Sequence, residues 1–295
     1  MHEVSLRSGE LEVVLAPATG GSIARFDRVA PSGERTPVLR GTDRVDAPVL
    51  AMGSFPLVPY CNRIRGARFH FRGREIGQQP NMTGDPSPLH GHGWMAPWTL
   101  VEQGESHAHL LYHHKADDWP WDYGASQHFS LDADGLRVSL SCRNLSDEPM
   151  PCGLGFHPYF PCSALTELDT RVADVWTVDE HVLPVERIPA DGRYDLRQRR
   201  ICSQTLDNGF SDWSGEAWIR TPGAPFAIRM TSPQAQYFQV YSPVEGGYFA
   251  AEPVSHANAA LNAPEDQWKA LGLRILEPGD ELTLNARFEV KIHSG

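Results

Sequence analysis

The chain has 295 residues, 41% of them hydrophobic, and a formal net charge of −11. That apolar share suffices for a core without a disulfide scaffold, and the acidic balance argues against nucleic acid and anionic membranes as partners. Cys61, Cys142, Cys152, Cys162 and Cys202 form no Cys-x-x-Cys pair, so a zinc ribbon is not expected. The first residues lack a basic region followed by an apolar run, and no apolar stretch approaches membrane-spanning length. The reading is a soluble, cytoplasmic protein with no nucleic-acid or membrane partner.

Taken in order, the chain repeats with period two. Leu11, Val13 and Leu15 mark an opening strand that Pro17 and Gly20-Gly21 terminate. Leu136, Val138, Leu140 and Cys142 alternate in the same way, as do Phe226, Ile228 and Met230. Tyr237 to Tyr241 is aromatic and β-prone. Leu282, Leu284, Ala286, Phe288, Val290 and Ile292 give a long last strand with one buried face. The 26 glycines and 24 prolines punctuate the chain without a repeat, which suits an antiparallel sandwich or barrel. One helix is predicted, from Pro264 through Leu271, with acids in its first turn and Gly272 behind it. Arg187 to Arg200 reads as a solvated excursion and Pro80 to Pro88 as the longest loop. No low-complexity linker divides the chain, so 1–295 is expected to be one domain.

Several polar residues stand out against this background. In Gly153-Leu-Gly-Phe-His157-Pro-Tyr-Phe160, proline extends the residue before it and aromatic rings frame the imidazole. His157 is therefore either a proton-transfer group or a core histidine with both nitrogens satisfied. Glu252 leaves an apolar run ahead of Pro253, where desolvation would make it a better base; an edge glutamate paired with arginine is the alternative. Arg63 sits among apolar neighbours and pins either a ligand or a structural carboxylate. Asp207-Asn-Gly reads locally as a turn. His90-Gly-His92 raises a cupin-type metal site, but the first acid beyond it is Glu102, ten residues on. His107, His109, His113 and His114 share a predicted strand, either as a metal site or as a solvent-facing side.

Five segments in order resemble the galactose mutarotase (aldose 1-epimerase) family: Asn62-Arg63-Ile64 with Gly66, Phe69 and Gly73; Leu89-His90-Gly91; Phe156-His157-Pro158-Tyr159-Phe160; Leu206-Asp207-Asn208-Gly209-Phe210; and Glu252-Pro253 with Asn262 and Leu276-Glu277-Pro278-Gly279. The resemblance implies an all-β, antiparallel supersandwich with at most one or two short helices and an open sugar groove. It implies His157 as general acid, Glu252 as general base, and Arg63, His90 and Asp207 as groups that bind sugar hydroxyls. The partner would be a small-molecule aldose, with no metal or redox cofactor needed, and the protein a monomer or weak homodimer. Trp94, Trp98, Phe210 and the Trp119-Pro-Trp121 pair are candidates for stacking on the sugar. Two departures beside the site, His92 after Gly91 and Val254-Ser255-His256 after Pro253, bear on which sugar is used. Three other readings stay open. A hexose 6-phosphate epimerase would find cations in Arg65, Arg68, Arg72 and Arg74. The others are a non-catalytic sugar-binding module and a cupin-like metalloenzyme.

Overall fold

The period-two pattern is realised as antiparallel strands throughout residues 3–292, the part of the chain that the computed structural model describes. One sheet has nine strands, from Arg199–Arg200 at one edge to Thr99–Gln103 at the other. Its centre is built from Phe226–Thr231, Glu281–Ile292, Gly135–Asn144 and Tyr123–Asp132. A second, eight-stranded sheet carries in order Pro184–Pro189, Asp174–Val178, Leu206–Ser211, Tyr237–Ser242, Tyr248–Val254, Gly155–Phe156 and Pro56–Leu57. Tyr159–Pro161 also pairs on Tyr248–Val254. A smaller sheet of four strands runs from Val4–Ser8 to Arg35–Leu39. This is the antiparallel supersandwich expected above.

The core lies between the two large sheets because alternation gives each an apolar inner face. Leu284, Ala286, Phe288 and Val290 are buried on one side, and Phe210, Phe238, Val240 and Phe249 on the other. Phe160 bridges them, its ring 5.5 Å from Phe249 and 6.3 Å from Phe288. A fully buried side chain of this size contributes roughly 1.5–3 kcal/mol. Trp119 and Trp121, considered above for sugar stacking, are also core: Trp119 packs on Tyr60 and Phe69.

Two local expectations are corrected. No α-helix occurs among the described residues; the predicted one is a single 3-10 turn, Glu265–Gln267, followed by a turn. Trp268 stacks on Phe71 and Gly272 takes a positive φ, so the segment ends before the cost of helix nucleation is offset. Asp207-Asn208-Gly209 lies within a strand, not at a turn. Pairing with Tyr237–Ser242 overrides the local preference, and Asn208 spends its amide on the Trp176 carbonyl (2.9 Å).

Candidate active site

Strand register assembles the site on the outer face of the eight-stranded sheet. Side chains of alternate residues share a face, so Phe238, Val240 and Phe249 enter the core while Gln239, Tyr241 and Tyr248 do not. Two cross-strand rows result. Asp207 stands opposite Tyr241, which stands opposite Ala250, which stands opposite Tyr159. Gly209, Gln239 and Glu252 form the next row. Gly155 pairs Val254 and Tyr159 pairs Ala250, and the same register carried across the break at Pro158 sets His157 opposite Glu252. Glycine and alanine in these rows leave the floor concave.

The walls come from two loops. Asn62 and His90 both take φ of 61°, a left-handed conformation costly for side chains other than glycine and most tolerable for asparagine. They hold each other there: the Asn62 amide donates to His90 Nδ1 and the His90 amide to the Asn62 carbonyl, each at 3.0 Å. Gly91 follows with positive φ, and a Cβ there would lie 2.3 Å from the Val58 carbonyl oxygen, so only glycine fits. The resulting cleft encloses about 300 Å³, the small end of the roughly 300–1,000 Å³ usual for small-molecule sites. All five expected residues, Arg63, His90, His157, Asp207 and Glu252, line it.

At its base His157 Nε2 lies 3.3 Å from Glu252 Oε1, with both side chains almost wholly buried. Phe55 stacks on the imidazole at 4.5 Å and Tyr159 packs at 4.6 Å. His157 Nδ1 and Glu252 Oε2 are buried without a hydrogen-bond partner. Burial, and then the charge of Arg40, depress the His157 pKa to about 3. Burial, and then the negative charge of Asp207, raise Glu252 well above the usual carboxylate range, with Arg63 opposing. The two shifts run in opposite senses, so a proton on the pair is held by the carboxyl in preference to the imidazole.

The surrounding groups are donors and acceptors of known orientation. Because His90 Nδ1 accepts the Asn62 amide, its ring proton is on Nε2. Burial, then His157 and Arg63, keep it neutral. His90, His157 and Glu252 have donor atoms within 4.8 Å of one another, a spacing that a metal could use. With its ring proton on Nε2, His90 presents a hydrogen-bond donor there instead of a ligand lone pair. Arg63 Nε donates to Asp85 Oδ2 at 2.8 Å, which fixes the guanidinium. Gln239 Nε2 donates to Asp207 Oδ1 at 2.9 Å. Burial raises the Asp207 pKa, while Arg63 and Gln239 pull it back.

Sequence reasoning missed Gln239, Tyr241, Tyr248, Phe55 and Asp85. Their alternation was visible, but which face turned outward was not. It also overreached: Trp94 lines the cleft, whereas Trp98 and Phe210 are buried outside its lining. His256 is a structural residue. Its Nε2 accepts the Cys61 amide (2.9 Å), its Nδ1 donates to the Ala257 carbonyl (2.8 Å), and burial lowers its pKa to about 4. A Cβ at Gly153 would lie 2.0 Å from this ring, which accounts for that glycine. His92 is outside the cleft lining, next to His114. The pairing of His90 with His92 expected of a cupin site is thus not formed. Nor do the four histidines of His107–His114 gather: His109 stacks on His128 while His107 and His113 are exposed. Arg65, Arg68, Arg72 and Arg74 also lie outside the cleft lining, near the carboxylates of Asp179, Glu75, Glu277 and Glu148.

The family profile described as aldose 1-epimerase matches residues 2–289. The uncharacterised Escherichia coli K12 protein YphB is 35% identical over 286 residues, covering 92% of this chain and 93% of its own. A solved structure from Escherichia coli K12, named a candidate aldose 1-epimerase, superposes with a TM-score of 0.90 at 32% identity over 99% of each chain. The GalM/aldose epimerase homologue from C. elegans shares the fold, with a TM-score of 0.83 at 17% identity over 99% of each chain. No described helix is long and apolar enough to cross a membrane. By its sequence profile and its structural relatives, the chain belongs to the aldose 1-epimerase family.

Proposed function

We propose that the cleft interconverts the α and β anomers of a free aldose by general acid/base opening of the hemiacetal. The observation that carries this reading is the buried His157–Glu252 pair, 3.3 Å apart at the base of the cleft. Ring opening needs one protonated and one unprotonated group at once. Glu252 as carboxylate takes the proton from the C1 hydroxyl while His157 as imidazolium protonates the ring oxygen. Rotation about C1–C2 then presents the other carbonyl face, and the roles reverse on closure. The reactive form differs from a Glu252-protonated resting form only by a proton shift from Oε1 to Nε2, with no change in the total charge of the pair. Arg63, His90 Nε2–H and Asp207 bind hydroxyls and orient the ring, and Phe55, Trp94, Tyr159, Tyr241 and Tyr248 supply its apolar surface.

A free sugar is favoured over a 6-phosphate because Arg63, the cationic side chain lining the cleft, is already paired with Asp85. The test is polarimetry on fresh α-D-glucose and α-D-galactose, with NMR for other aldoses and their 6-phosphates. His157→Asn and Glu252→Gln are each expected to lower kcat by about 10²–10⁴-fold while the fold persists. Full activity in both variants on a true substrate would remove this assignment. Sugar binding by calorimetry with no accelerated mutarotation would instead leave a binding module.

A further inference from the structure

His92 comes two residues after His90 yet belongs to a different cluster. Its imidazole stacks on that of His114, centroids 4.4 Å apart and planes at 17°. The Nε2 atoms face carboxylates: His114 Nε2 is 3.2 Å from Asp117 Oδ1, and His92 Nε2 is 3.7 Å from Asp118 Oδ1. One donor atom from each of His92, His114 and Asp117 lies within 4.8 Å of the others. The opposite ring nitrogens meet phenols, His114 Nδ1 at 3.2 Å from the Tyr112 hydroxyl and His92 Nδ1 at 3.5 Å from that of Tyr123. A phenol accepts as well as donates, so each imidazole can carry its proton on Nδ1 and offer Nε2 to a metal, which at His114 replaces the contact of Nε2 with the Trp119 carbonyl (3.4 Å). None of these residues lines the cleft.

Charge balance points the same way. Two adjacent carboxylates, Asp117 and Asp118, face the stacked imidazoles. One divalent cation neutralises both. We propose that His92, His114 and Asp117, with Asp118 or water as fourth ligand, bind one borderline-soft transition-metal ion of the Zn²⁺ or Co²⁺ class. Imidazole nitrogen with carboxylate oxygen, and no thiolate, selects that class over Cu(I) and over Ca²⁺.

The frame is built in advance. His114 ends the strand His107–His114 and is 4% exposed, and buried Trp119 and Trp121 anchor the loop that carries the aspartates. Asp118 Oδ2 accepts the Gln79 amide and Asp117 Oδ1 the Trp119 amide. His92, the less buried ring, turns about χ2 to bring its lone pair onto the ion. Bound metal would then tie the loop bearing His90 to the nine-stranded sheet, a structural role outside the cleft lining.

The test uses the full chain without a histidine tag, stripped with chelator, then titrated with CoCl₂ by visible absorption and with ZnCl₂ by calorimetry and thermal unfolding. The expected result is one ion per chain, a tetrahedral-type Co²⁺ spectrum and a rise in Tm with Zn²⁺. Asp117→Ala, at an exposed carboxylate, and His92→Asn should each weaken binding by at least about tenfold. His157→Asn should leave it unchanged. No binding at about 1 mM metal would overturn the site, as would binding that survives Asp117→Ala and His92→Asn, or that disappears in His157→Asn and so belongs to the cleft.

Discussion

His157 and His256 are both buried, and burial depresses both of their pKa values. Their surroundings differ in one respect. Around His256 every ring nitrogen has a partner, and the residue joins Cys61 to Ala257 like a length of backbone. Around His157 one nitrogen has none, the other faces a carboxylate, and that carboxylate has an orphaned oxygen of its own. Buried polar groups are normally satisfied. At the His157–Glu252 pair, which lines the cleft, they are not, and there the hydroxyls and ring oxygen of the proposed substrate would complete the bonding. Burial alone does not separate the proposed proton-transfer histidine from the structural one; unmet hydrogen-bonding capacity at the cleft lining does.

The sharpest way to break this contrast is to exchange the roles. If His256→Gln abolished turnover per folded molecule and His157→Gln did not, the contrast would be inverted; the expected losses are about 10²–10⁴-fold in kcat at His157 and little at His256. Next in size is Arg63→Ala, which should raise KM by about tenfold to a hundredfold by removing a hydrogen-bonded charge, at 1.4 kcal/mol per factor of ten. Asp85→Asn should show a smaller change of the same kind, since it loosens the guanidinium without removing it. His256→Ala should cost about 1–3 kcal/mol of stability, because the Cys61 amide and Ala257 carbonyl lose their partner. Chemical denaturation reads this directly.

The smallest expected effect runs the other way. A Glu252 pKa raised by folding means that its ionised form is disfavoured in the native state. Its contribution to stability is intact below the unfolded-chain pKa and is lost as pH rises through the folded value. Glu252→Gln should therefore raise Tm slightly, more so in alkaline buffer, while activity falls. A loss of stability in that variant at high pH would show that the ionised carboxylate is well solvated or well paired. The same directions bound the pH–rate profile on both sides. A second proton enters the pair only far below the usual histidine range, near the depressed value of about 3. The first leaves only above the usual carboxylate range.

Much of the fold was legible because alternation is a local property. Leu282 to Ile292 lies in a single strand, Glu281–Ile292, where Leu284, Ala286, Phe288 and Val290 are buried as the pattern required while Leu282 is half-buried and Ile292 exposed. The five cleft residues were legible as an ordered set of short segments. What stayed hidden depends on register, which no single strand records. Gln239 matters because it stands across from Glu252, and Asp207 escapes its turn propensity because it stands across from Tyr241. Asp85 serves Arg63 from twenty-two positions away. Trp98 and Phe210 misled for the complementary reason: aromatic residues suited to stacking are equally suited to a core, and here the core took them.

A double-mutant cycle on kcat tests most directly whether His157 and Glu252 act as one acid/base unit. Anomer exchange would be measured by polarimetry for the wild type, His157→Asn, Glu252→Gln and the double variant, all shown to be folded. The account predicts that the double variant loses about as much as either single variant, since one missing member already disables the pair. Losses that multiply, each residue contributing its own factor independently, would contradict it.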